Sequence, residues 1–133
     1  MNKVVLSREI LGELIEIGKK TYPSEGCAVL LGSSENSEIN KVKELNNSVG
    51  KELSNFFFQV DPEEILKIEK EGAYIAGFFH THPDNRAVLS REDEEYMIPG
   101  LMYIVMSIIK GNFAEVRAYV KDPDCGGIRE YDI

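Results

Sequence analysis

Apolar positions recur along this chain with two periods. In VVLSREILGELIEIGKK they fall at Ile10, Leu14 and Ile17, joined by Leu11 and Ile15. That three-and-four spacing predicts an amphipathic helix, and Ser7 suits its N-cap. TYPSEG breaks the pattern. CAVLLGS (27–33) is a continuous apolar run and predicts a buried strand. SSENSE predicts a polar turn, INKVKEL (39–45) a weaker strand, NNSVGKELSN (46–55) a loop and FFFQV (56–60) a strand. DPEEILKIEKEG predicts a second helix, with Asp61 as cap, Pro62 at the first helical position and Glu64 completing a box-like pattern.

The second half alternates in the same way. YIAGFFHTH (74–82) predicts a central strand, and Pro83 should stop it because proline cannot donate to a sheet ladder. LSREDEEYMI (89–98) predicts a short helix ended by Pro99-Gly100, and LMYIVMSII (101–109) a buried strand. Lys110-Gly111-Asn112 predicts a tight turn into FAEVRAYV (113–120). There Ala114, Val116, Ala118 and Val120 face one way and Glu115, Arg117 and Tyr119 the other, so one face is expected to be wet. DPDCGG reads as a turn before a last edge strand in IREYDI, and Gly126-Gly127 belongs to that turn. Mixed helices and strands predict an α/β sandwich: a mixed β-sheet flanked by helices, in a single domain over residues 1–133.

Composition narrows the partners. A globular 43% of residues are apolar, and 23 acidic against 15 basic side chains leave a net charge of -8. No Lys/Arg run offers itself to nucleic acid or an anionic membrane, so neither is expected as a partner. MNKVVLSREI has no signal-type apolar region, and no apolar run approaches the ~20 residues of a membrane span, which points to the cytoplasm. There Cys27 and Cys125 are expected to be thiols. Long apolar strands could supply a homodimer surface.

The candidate chemistry lies in HTHPDNRAVLSRED (80–93), which holds both histidines of the chain. Residues two apart on a strand share a face, so His80 and His82 project together and Thr81 points away. Ser90 can cap the following helix, which brings Asp93 beside it. Two imidazoles and a carboxylate with an open fourth position form the pattern of a catalytic zinc site, whereas structural zinc sites are closed and rich in cysteine. On spacing alone, a plain loop, a simple helix cap and Glu94 as the acidic ligand stay open.

H-x-H-P, with seven residues between the second His and a Ser, then x-x-D, resembles the signature of the JAMM (MPN-plus) zinc metallopeptidases. YPSEGCAVLLG (22–32) is similar to that family's upstream glutamate segment, and the order of elements agrees over nearly the whole chain. The resemblance implies an MPN, cytidine-deaminase-like sandwich. It implies one Zn²⁺ per chain held by His80, His82 and Asp93. Glu25 would be the general acid/base acting on a zinc-bound water, and Ser90 the stabiliser of the oxyanion. With 133 residues there is little room for the insertions of eukaryotic deubiquitinating members, so the chain looks more like the short prokaryotic ones. Those act as peptidases or isopeptidases at the C-terminal Gly-Gly of small ubiquitin-like or sulfur-carrier proteins.

Rival readings are distinguishable. Two histidines and a carboxylate also build non-haem iron oxygenase sites, usually on all-β folds. Zinc deaminases need H-x-E and P-C-x-x-C, which are absent. A cysteine hydrolase would use Cys27 or Cys125 with a histidine. A non-catalytic MPN-type scaffold would lack ligands that this chain retains.

Overall fold

A computed structural model describes residues 6–32, 39–45 and 62–131. Helix α1 (Arg8–Thr21) begins where expected: the Ser7 hydroxyl accepts from the Ile10 amide at 3.1 Å. Strands β1 (Cys27–Gly32) and β2 (Ile39–Leu45) follow, then α2 (Pro62–Lys70), β3 (Ile75–Pro83) and α3 (Arg91–Tyr96). Strands β4 (Met102–Ile109), β5 (Asn112–Lys121) and β6 (Ile128–Tyr131) complete the order. The expected turn at 33–38, loop at 46–55, strand at 56–60 and cap at Asp61 lie outside the described residues.

The six strands form one sheet in the order β2-β1-β3-β4-β5-β6. All pairs are antiparallel except β3 with β4. A parallel pair needs a crossover, which α3 and its flanking loops supply. The sheet is therefore mixed and β3 is interior, as its apolar run predicts. β4 and β5 meet at Lys110 and Gly111, with φ of 51° and 84°. Positive φ at both central residues is the hairpin turn that matches strand twist, and glycine adopts it freely.

Alternation sorts the strands into two cores. On one face α1 lays Ile10, Leu14 and Ile17 against Ala28, Leu30, Phe79, Ile104 and Met106. On the other, Ile68 of α2 and Met97 beside α3 join Cys27, Val29, Phe78, Tyr103 and Val105. Helices thus cover both faces, the α/β sandwich anticipated. No helix among the described residues is long and apolar enough to cross a membrane.

Two details correct the reading of the sequence. α3 stops at Tyr96 rather than at 98, because Met97 turns extended and is buried in the second core. The face of β5 expected to be wet is only partly so: Tyr119 is 6% exposed, and Glu115 and Arg117 are half-buried. The loop after β3 crosses that face and contributes the fully buried Ala87. Ala114, expected to face the core, is exposed near the hairpin end.

Candidate metal centre

His80 and His82 leave β3 on the α2/α3 face, as strand alternation requires. Thr81 points to the opposite side, and its hydroxyl accepts from the Gly26 amide at 2.8 Å. The Thr81 amide donates in return to the Gly26 carbonyl at 3.0 Å. This clasp joins the segment carrying Glu25 to the strand carrying the histidines, and in the adjoining ladder Cys27 faces His80. A side chain at position 26 would not fit, since a Cβ there would stand 2.5 Å from Thr21 Oγ1 in α1.

The third donor comes from α3. Ser90 and Asp93 form a reciprocal capping box: the Asp93 amide donates to Ser90 Oγ at 3.0 Å, and the Ser90 amide to Asp93 Oδ2 at 2.9 Å. The cap aims Oδ2 at the histidines. It lies 2.9 Å from His82 Nε2 and 3.2 Å from His80 Nε2, and the two Nε2 atoms are 3.2 Å apart. Ligands about 2.0–2.1 Å from a tetrahedral zinc ion stand about 3.3 Å from one another. Three atoms on a nearly equilateral triangle of that size fit such an ion, and His80, His82 and Asp93 can hold a metal. Glu94, left open by spacing, is exposed on α3.

The wider surroundings orient these donors. His82 Nδ1 lies 2.9 Å from the Arg86 carbonyl, so Nδ1 carries the proton and Nε2 keeps its lone pair for a metal. Burial pushes Asp93 up, but the His80 and His82 imidazoles beside it outweigh that and hold the carboxyl well below the usual carboxylate range. Burial lowers His80. For His82 burial also acts downward, but Asp93 and the Arg86 carbonyl outweigh it and raise the group.

Glu25 is 5% exposed and lines a cavity of about 470 Å³ with His82, Pro83, Asn85, Arg86, Val88 and Ser90. Burial pushes its carboxyl up to about 8, with His82 acting against the shift and Asp93 reinforcing it. A carboxyl that binds its proton more tightly folded than unfolded stabilises below its unfolded value of 4.5 and loses that contribution as pH rises toward the folded one. Metal-free protein is therefore expected to lose stability relative to Glu25→Gln at about 1 kcal/mol per pH unit between about pH 5 and 8. Denaturant unfolding of both proteins across that range measures it, and a constant difference would contradict the shift.

All five residues singled out from the sequence thus meet at one place. Of the two cysteines, Cys27, opposite His80 on the neighbouring strand, lies beside them. Both are thiols: Cys27 is buried and donates to the Leu45 carbonyl at 3.4 Å, and Cys125 is exposed at the turn before β6. Arg86, Glu115 and Tyr119 were not foreseen around the site. The shared face of Glu115 and Tyr119 on β5 was visible, but nothing local connected it to the histidines.

Comparison with known proteins identifies the family and the fold. Residues 7–120 match the family described as prokaryotic homologs of the JAB domain. The desampylase of Haloferax volcanii is 31% identical over 90 residues, which cover 64% of this chain and 63% of that protein. The chain thus spans less than two thirds of that relative's length. A solved structure of a Desulfitobacterium hafniense protein superposes with a TM-score of 0.77 at 26% identity, covering 96% of this chain and 88% of that one. A JAB1/MPN domain protein of Archaeoglobus fulgidus shares the fold, with a TM-score of 0.61 at 19% identity over 99% of this chain and 97% of its own.

Proposed function

From the premise that this chain belongs to the prokaryotic JAB-domain family, we propose that it is a zinc-dependent peptidase or isopeptidase acting at the C-terminal Gly-Gly of a small ubiquitin-like or sulfur-carrier protein. The observation that carries this reading is the convergence of His80, His82 and Asp93 beside a buried glutamate in one cavity. The likeness to a desampylase supports a ubiquitin-like substrate.

His80, His82 and Asp93 would hold the zinc, which when bound would supply a Lewis acid for the scissile carbonyl and ionise water near neutral pH. Glu25 accepts the proton of the attacking water and returns it to the leaving amine. A nearby cation favours the ionised form of a carboxyl that burial alone would keep protonated. Ser90 Oγ accepts from the Asp93 amide, which leaves its own O–H to donate to the oxygen of the tetrahedral intermediate. Val88 and Arg86 border the cavity. A Gly-Gly tail suits it because glycine lets backbone approach closely.

The test is a panel of ubiquitin-like proteins with C-terminal extensions, incubated with and without chelator. Cleavage after Gly-Gly, lost with chelator and restored by zinc, is expected. Cleavage indifferent to chelator, or no cleavage by zinc-loaded protein, would overturn the proposal.

A further inference from the structure

We propose that Glu115 is a positioning residue for the metal ligand His82, acting through the peptide unit between Arg86 and Ala87. The inference rests on the metal-site reading above and deepens it.

The Arg86 carbonyl that accepts from His82 Nδ1 at 2.9 Å belongs to the same peptide plane as the Ala87 N–H. That peptide is trans, so its carbonyl and its N–H point to opposite sides. On the far side, the Ala87 N–H donates to Glu115 Oε2 at 3.1 Å. A carboxylate, a peptide and an imidazole are thus aligned in series, ending at the Nε2 that faces His80 and Asp93. Metal-binding histidines generally give their other N–H to a carboxylate or to a backbone carbonyl. Here the carbonyl comes first and the carboxylate stands behind it. Drawing on the amide hydrogen polarises the peptide, strengthens the carbonyl as an acceptor and makes the imidazole a better donor to a metal.

The surroundings hold this peptide still. Ala87 is fully buried, and the Tyr119 hydroxyl donates to its carbonyl at 2.7 Å. Ser107 Oγ donates to the Asn85 carbonyl, and the Asp84 amide to the Ile108 carbonyl at 2.7 Å. Glu115 is held as well: Arg117 Nε donates to Oε1 at 3.0 Å, and Arg86 Nε to Oε2 at 3.3 Å. The Ala87 amide, then Arg86, keeps the Glu115 carboxyl down at about 2, so it is ionised at any working pH. Glu115 and Tyr119 are four residues apart on one face of β5, and the loop carrying Ala87 crosses that face. The face expected to be wet is the anchor of the metal loop.

The test is zinc affinity by competition with a chromophoric chelator, with visible spectra of the Co²⁺-substituted protein. Glu115→Ala is expected to weaken zinc by about 10–100-fold and to alter the Co²⁺ bands. Glu115→Gln can still accept from Ala87 without the charge, and should fall between that variant and the native protein. Glu130→Gln is the control, since Glu130 stands on β6, outside the Ala87 loop, and meets Arg117 Nη1 at 3.4 Å. It should bind zinc as the native protein does, and a loss equal to that of Glu115→Ala would refute the specific route through Ala87. Native-like affinity and spectra in Glu115→Ala would overturn the proposal. If that variant fails to fold, NMR of metal-free native protein and Glu115→Gln decides: the His82 Nδ1 proton should move upfield in the variant, and an unmoved resonance overturns the relay. Native protein that takes up no zinc would instead overturn the metal reading itself.

Discussion

Glu25→Gln is expected to lose about 10²–10⁴-fold in amide hydrolysis while retaining its metal. The substitution keeps shape and removes one property, the ability to take and return a proton. Glu25 is outside the triangle of donors formed by His80, His82 and Asp93, so metal content should not change. Nor should the fold suffer, because burial already disfavours the charged carboxylate at this position, and a neutral amide avoids that cost. Hydrolysis rates and elemental analysis of the same folded sample separate the two roles. Full cleavage by metal-loaded Glu25→Gln would remove Glu25 as the base.

His80→Ala should lose tight metal binding altogether. His80 is 2% exposed and supplies one corner of the triangle at 3.2 Å from each of the other two. Two donors remain, and a carboxylate with a single imidazole cannot complete three protein ligands around zinc. The loss should exceed the about 10–100-fold that removal of an outer hydrogen-bonding partner causes. Elemental analysis after dialysis reads it directly, with circular dichroism verifying that the sheet persists. Unchanged zinc content would refute the assignment. Together with Glu115→Ala, these variants grade the site: a ligand, a positioning residue behind a ligand, and a proton carrier that binds no metal.

Much of the site was legible because its parts are local. H-x-H on a strand puts both imidazoles on one face by the two-residue period alone. Ser90-x-x-Asp93 is a capping box within one turn, and the structure contains both of its reciprocal hydrogen bonds. The starts of β1 and β2 and the Ser7 cap of α1 also follow from short-range pattern. Glu25 is different. It stands 55 positions before His80, and only the family resemblance selected it among 23 acidic residues.

What the residues determined unaided was local geometry: which side chains share a face, where helices begin, and that two histidines end an interior strand. Those properties depend on backbone periodicity and on hydrogen bonds within a few residues, so they can be read along the chain. What tertiary structure decided was which of these pieces meet. Antiparallel pairing of β1 with β3, fastened by Thr81 and Gly26, carries Glu25 to the histidines. The loop after β3, lying across β5, turns Glu115 and Tyr119 from an expected solvent face into the support of His82. An alternating strand looks the same in sequence whether water or another segment covers its polar face. Only packing distinguishes the two, and here packing placed a carboxylate behind the metal ligand.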